Sequence, residues 1–405
     1  MDEKTWRATV GAGTLLGDVT KRMHDAGGRA MAHGTCPQVG IGGHATIGGL
    51  GPTSRQWGAC LDHVEEVEVV TADGVIKRAS ATVNSDLFWA LKGAGGSFGV
   101  ITEFVCRTQP EPGEAIQFSY SFTTRPYRSM APIFKAWQKF VSNPDLTRKF
   151  SSELVFTEAG LIISGTYFGS REEYDALQLE KNFPGPQVAK VIRFHNYLGV
   201  VAHWAEEFAL KLVGGLSSPF YAKTLTFNGA NLIPDQTIDD FLKFLDETKK
   251  GTPVWFVIFD LEGGAINDVP KDATAYAHRD ALFYLQSYGI ALDLKGRVSP
   301  TLKAFLENIN KVIKQTINDS VVESDFGSYP GYVDPTLENG PKEYWRHNLP
   351  RLEQIKAVVD PTDMFHNPQS VRPAGAVPVI SKNDAPVKMK RGLYGMARIT
   401  LAKLL

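Results

Sequence analysis

The stretch GTCPQVGIGGHATIGGLG, residues 34–51, holds seven glycines, one cysteine and one histidine, and no charged side chain. Glycine lets a backbone take positive φ and lets a ligand approach closely, but each one loses extra conformational freedom on folding. A bound cofactor is the first candidate to offset that cost. The amides of such a run can donate to phosphate or to the carbonyls of a planar heterocycle. No lysine stands where a nucleoside-triphosphate loop needs one. A lone cysteine is usually a buried structural thiol, yet Pro37 and the glycines around Cys36 offer it little apolar cover.

The rest of the chain bounds the answer. Its 405 residues suffice for a large core and two domains, and 43% hydrophobic with 21% charged residues is ordinary for a globular protein. The net charge is −1, with basic residues dispersed, which argues against nucleic acid as a partner. No apolar run is long enough to span a bilayer, so no membrane partner is expected. The three cysteines, Cys36, Cys60 and Cys106, form no disulfide framework and no zinc-like spacing. MDEKTWRATVG lacks the basic start and apolar run of a signal peptide. The chain as written reads as cytoplasmic, or as secreted if a signal peptide precedes Met1. A monomer is expected.

Residues 1–107 alternate strand and helix signals. WRATVG reads as a strand, and TLLGDVTKRMHDAGG as an amphipathic helix with Leu15, Leu16, Val19 and Met23 inward. HVEEVEVVTADGVIKRAS is a hairpin about Asp73-Gly74. Ser85 can cap a helix through DLFWALKG, and GVITEFVCRT is a further strand. After TQPEPGE (108–114) long strands such as IQFSYSF, SSELVFTEAGLIISGTYFG, PVWFVIFDLEGG and AYAHRDALFYLQSYGI alternate with charged helices. Those helices include APIFKAWQKFVSN, DQTIDDFLKFLDETKK and SPTLKAFLENINKVIKQ. This is an α+β pattern, a broad antiparallel sheet covered on one face by helices. PKEYWRHNLPRLEQIKAVVDPTDMF reads as a closing helix. The expected division is 1–110, 111–335, a C-terminal return at 336–375 and a peripheral tail at 376–405.

Several chemistries have little support. VGAGTLLGDV follows a strand and opens a helix, but its third glycine is displaced to Gly17 and no acidic residue follows at the needed distance, so a tight turn is the better reading. The histidines are scattered without HExxH or similar ligand spacing, so no metal is expected. No GxSxG elbow is present.

GTCPQVGIGGHATIGGLGPTSRQWGACLDHV, VVTADG, SATVNSDLFWALKGAGGSFGVITEF and FHNPQSVRP together closely resemble the FAD-linked oxidases of the berberine bridge enzyme group, nearest in kind to fungal glucooligosaccharide and chitooligosaccharide oxidases. The likeness runs from about Val10 to Pro373. It implies a PCMH-type (vanillyl-alcohol oxidase-like) FAD-binding domain with an antiparallel substrate domain. It also implies a thioether between Cys36 and C6 of the flavin. Thr35, Val39, Gly40, Gly42, Gly43, His44 and Gly48 would be loop contacts to the cofactor. Gly99 and Ile101 would flank its adenine-ribose end, and Asn367 and Gln369 would return to the ring. For His44 alone, a plain loop histidine is as good a reading. These oxidases usually carry a second, histidyl link to the flavin, in an RxGGH-like segment upstream of the VGAG strand. No such stretch occurs in these residues, and weak FAD binding by the chain as written is expected.

In the second domain Asp260 ends the apolar run WFVIFD, an expensive place for an ion unless it has a partner or a task. Gln286 lies in FYLQSY, and Tyr329 and Tyr332 lie in GSYPGYVDP. By the resemblance, Tyr332 and Asp260 remove the proton of an anomeric hydroxyl, while Gln286 and Tyr329 hold the sugar. Gly331 replaces an asparagine of the family's YxNY pattern, which suggests a looser loop. A free tyrosine has pKa about 10, too high for an efficient base, and a carboxylate bonded to its hydroxyl can take its proton onward. The implied reaction oxidises an oligosaccharide or related alcohol to a lactone, with O₂ reduced to H₂O₂. The alternatives are a flavin-free remnant with at most carbohydrate binding, or a secondary-metabolite oxidase of the same family.

Overall fold

Two sheets of different character carry the chain. A computed structural model describes residues 1–123, 125–183, 185–211, 219–292, 297–316, 326–334 and 336–375; the expected tail at 376–405 lies outside them. The first sheet contains β1 (Arg7–Gly11), β3 (Val64–Val70), β4 (Ile76–Ser80) and β5 (Val100–Arg107), in the order β1-β5-β3-β4 with antiparallel pairing. A short pair, β2 (Arg29–Ala30) and β6 (Gln109–Pro110), lies beside it in sequence. Helices Leu16–Asp25 and Ser85–Ala94 cover this sheet with Val19, Met23, Leu87 and Leu91. Helix Leu349–Val359 adds Leu352 and Ile355 to the same core, so the C-terminal segment packs with the N-terminal sheet.

The second sheet has seven strands: β7 (Ala115–Phe122), β8 (Phe150–Thr157), β9 (Gly160–Tyr167), β10 (Val188–Phe194), β11 (Phe220–Asn228), β12 (Trp255–Leu261) and β13 (Ala281–Ile290). Their order is β10-β7-β9-β8-β12-β13-β11, with antiparallel pairing throughout. Successive side chains of a strand point to opposite faces, and β12 shows the consequence. Trp255, Val257, Phe259 and Leu261 enter one large core with Phe134, Phe241 and Phe305 from helices Ala131–Val141, Asp235–Glu247 and Pro300–Thr316. Phe256, Ile258 and Asp260 point the other way, into a cavity. The β7 and β9 end of this face is covered by helix Tyr197–Lys211, whose Trp204 packs with Ala115 and donates to the Thr166 hydroxyl, so helices are not confined to one face as expected.

Several expectations need correction. Leu15 is exposed and precedes its helix, because its backbone pairs with Gly40 to seat the glycine loop. Helix Ser85–Ala94 has Asn84 (φ +49°) at its N-cap, so Ser85 is its first residue rather than its cap. SSELVFTEAGLIISGTYFG is two strands folded back at Gly160 (φ +132°), and AYAHRD precedes β13 rather than extending it. The closing helix is broken between Gly340–Trp345 and Leu349–Val359, where Arg346 takes φ +45° and Pro350 restarts the turn.

Candidate active site

The glycine loop is braced from behind. The Tyr329 hydroxyl accepts the Gly49 N–H at 3.0 Å, and His44 Nε2 accepts the Gly34 N–H at 2.9 Å. The Ser54 hydroxyl accepts the Gly51 N–H at 3.0 Å. Gly49 has φ +78°, and a Cβ there would run into Cys60 and His44, so this position requires glycine. Burial, then the neighbouring His33, pulls His44 down to about 3, which keeps its ring neutral and able to accept.

Between this loop and the face of the seven-stranded sheet opposite the large core lies a cavity of about 670 Å³, also lined by Trp204. Ligand pockets run roughly 300–1,000 Å³. On the loop side it is lined by Gly34, Thr35, Cys36, Val39 and His44; Gly40, Gly42, Gly43 and Gly48 belong to the loop without lining the cavity. The half-buried Cys36 thiol is pushed up to about 11 by burial, with a Thr35 hydrogen bond acting the other way. It is a protonated thiol, and it stands at the wall of the cavity.

The sheet supplies the opposite wall. Asp260 on β12 lies directly across from Glu153 on β8, and Gln286 on β13 lies across from Ile258. Asp260, Glu153, Gln286 and Tyr332 all line the cavity. Glu153 accepts from the Ser164 hydroxyl at 2.7 Å. Burial pushes the Tyr332 phenol well above its ordinary value, and Asp260 is the next cause, followed by Tyr329, Glu262 and Glu153. Tyr332 is therefore protonated at neutral pH, and it faces carboxylates.

Not every expected residue reaches the cavity. Tyr329 is buried and does not line it; its hydroxyl accepts from Gly49 and so braces the loop. Its ring also fills the space a Cβ at residue 331 would need, so Gly331 permits the close packing seen there. Gly99 packs on Val69 and Val70 of β3, and Ile101 pairs with Val69, both outside the cavity. The Asn367 side chain closes a turn onto the Gln369 N–H, and Gln369 lies against Gly340, also outside it.

Two acids escaped the sequence reading. Glu153 stands in SSELVF as Asp260 stands in WFVIFD, a charge in an apolar strand, so the same signal was there to find it. Glu262, at 3% exposed, follows Leu261. Burial raises its carboxyl well above the usual range, as does Asp260, while Arg55 opposes the shift.

The comparisons with known proteins agree with this geometry. Residues 1–80 match the family model described as an FAD binding domain, and residues 328–372 match that described as berberine and berberine like. The FAD-linked oxidoreductase sorD of Penicillium rubens is 40% identical over 378 residues, covering 92% of this chain and 78% of the relative. The glucooligosaccharide oxidase of Sarocladium strictum is 33% identical, covering 90% of this chain and 74% of its own length. The chain belongs to the berberine bridge enzyme-like FAD-linked oxidoreductases.

Solved members share the fold. A xylooligosaccharide oxidase from Myceliophthora thermophila C1, in complex with xylobiose, superposes with a TM-score of 0.82 at 28% identity, covering 93% of this chain and 80% of that one. A glucooligosaccharide oxidase from Acremonium strictum superposes at 0.81 with 31% identity, covering 92% and 79%, and its structure is described for a 6-S-cysteinyl, 8α-N1-histidyl FAD. The cofactor of this berberine bridge enzyme-like chain is FAD. The cavity fits its ring end: the size suits a tricyclic heterocycle and a thiol stands in the wall. Among the described residues there is no group of three or more His, Cys, Asp or Glu that could hold a metal, and no helix is long and apolar enough to cross a membrane.

Proposed function

We propose that this enzyme oxidises the anomeric hydroxyl of a reducing oligosaccharide, or a related alcohol, to a lactone, with O₂ reduced to H₂O₂. The observation that carries this reading is the placing of Tyr332, Asp260 and Gln286 on the same cavity as Cys36. FAD, when bound and tethered through Cys36, supplies the two-electron acceptor for the substrate's hydride and passes the electrons to O₂. Tyr332 takes the hydroxyl proton while its own proton passes to Asp260, so the phenolate that burial disfavours never has to accumulate. Gln286, one pair of positions further along the sheet, orients the ring by hydrogen bonding.

A second reading, a secondary-metabolite alcohol as substrate, is favoured by one feature. Phe256, Ile258 and Val155 form an apolar lane on the same cavity wall. Anaerobic mixing of the flavin-loaded enzyme with reducing disaccharides and with non-sugar alcohols decides between the two. Bleaching by a disaccharide with lactone formation supports the first; bleaching by non-sugar alcohols alone removes it.

A further inference from the structure

We propose that the buried pair Lys223–Asp334 is a clamp that positions Tyr332, by fastening the segment around Tyr332 to β11 of the seven-stranded sheet. Among the described residues β11 is the last strand of the sheet on the β13 side, and its residues alternate between the two faces. Thr224 pairs with Gln286 and so shares the cavity face, whereas Tyr221, Leu225 and Phe227 enter the helix-covered core. Lys223 falls on the helix-covered side with them. The segment after Gly327 begins on the cavity side, where the Thr226 hydroxyl donates to the Gly327 carbonyl at 3.3 Å. Tyr332 lines the cavity, and two residues later the chain is gripped on the other side.

There Lys223 Nζ donates to Asp334 Oδ2 at 2.8 Å and to Thr336 Oγ1 at 2.7 Å. Asp334 Oδ1 accepts the Thr336 N–H at 2.9 Å, and the Asp334 N–H donates to the Tyr344 hydroxyl at 2.9 Å. Thr336 is tied in turn to the Tyr221 hydroxyl at 2.8 Å. The Asp334 carboxylate is 1% exposed and Lys223 11%, so water screens this pair little. The residues on either side of Tyr332 are thus fixed at both ends, at Gly49 through Tyr329 and at Lys223 through Asp334. A displacement of about 1 Å in a reacting group costs on the order of 10²-fold in rate, so a loosened clamp is felt at Tyr332 without contact to substrate.

The inference rests on Tyr332 as the proton acceptor, and the experiment separates the two. Limiting flavin reduction and substrate Kd are measured for the flavin-loaded Tyr332→Phe, Lys223→Met, Lys223→Arg and Thr336→Val enzymes, beside ¹⁹F NMR of 3-fluorotyrosine protein. The Tyr332 resonance is assigned by its loss in Tyr332→Phe. We expect Lys223→Met to slow reduction roughly 10–100-fold with Kd within about threefold, and to broaden or split the Tyr332 resonance. Lys223→Arg should recover most of the rate, with Thr336→Val intermediate. If Lys223→Met fails to fold, Thr336→Val and Lys223→Arg carry the test by the same two readouts. An unmoved Tyr332 resonance and unchanged reduction in folded clamp variants overturn the clamp. Wild-type reduction by Tyr332→Phe overturns the underlying assignment instead, while the NMR still reports on the clamp.

Discussion

The two faces of the seven-stranded sheet are built from alternating residues of the same strands and do opposite things. Toward the helices, β12 presents Trp255, Val257, Phe259 and Leu261, and the face is closed by aromatic contacts such as Phe134–Phe259 at 4.6 Å. Toward the cavity the same seven residues present Phe256, Ile258 and Asp260, with Glu153 opposite Asp260. Like charges directly opposite each other on a sheet are destabilising. One face supplies the stability that lets the other hold a polar arrangement, as expected where function and stability compete.

The strongest way to break this contrast is at Tyr332. Tyr332→Phe removes the proton acceptor, and flavin reduction should slow by on the order of 10²–10⁴-fold while flavin content stays near wild type. Asp260→Asn should cost about as much, and the double variant little more than the worse single one, because groups acting as a unit are not additive. Additive losses in stopped-flow reduction would show that the two act separately.

Next come neighbours on opposite faces. Phe259→Ala opens a hole in the large core and should cost about 3–5 kcal/mol of stability. Ile258→Ala, on the cavity face, should cost less than about 2 kcal/mol, since its side chain already borders open space. Denaturant unfolding of the two variants makes the comparison, and equal losses would mean that the cavity face is packed as tightly as the core.

A smaller effect, spread over pH, sharpens the account of the loop side. Burial, the first cause in each case, holds His44 and His278 down to about 3 and His63 to about 4. The unfolded chain protonates these rings near pH 6.5. Below that value the unfolded state binds more protons, so stability falls as pH drops from about 6.5 toward 4. The slope approaches about 1.4 kcal/mol per pH unit for each histidine. Chemical denaturation between pH 7.5 and 5 should show the loss beginning below pH 7; a flat profile would mean that the rings take up protons in the folded state.

Much of this was legible in residue patterns, and the misses have physical causes. The hairpin at Asp73-Gly74 formed as read, since glycine there takes φ +75° and Thr71 closes the turn on Val75. The sheet with its large helix-covered core could be read from long strands alternating with amphipathic helices, but helix Tyr197–Lys211 on the opposite face could not. Asp260, Gln286 and Tyr332 line one cavity, and it was the family resemblance, not strand alternation, that grouped them from sequence. β10 and β11 went unread, since β10 is a largely exposed edge strand and β11 mixes Lys and Thr into its run. Tyr329 could not be told from Tyr332 by type or neighbourhood. Which tyrosine reaches the cavity is set by the Gly49 hydrogen bond and the Lys223–Asp334 pair, both contacts between residues distant in sequence.

The most direct test of the two-walled site asks whether the loop wall holds flavin. Flavin-loaded protein is denatured, digested and mapped by mass, and the peptide spanning residues 34–51 is examined. We expect that peptide to carry the mass of the flavin on Cys36, and Cys36→Ala to release more flavin on denaturation. An unmodified Cys36 peptide from a protein that retains its flavin, or equal retention in Cys36→Ala, would contradict the assignment of the glycine loop as the cofactor wall.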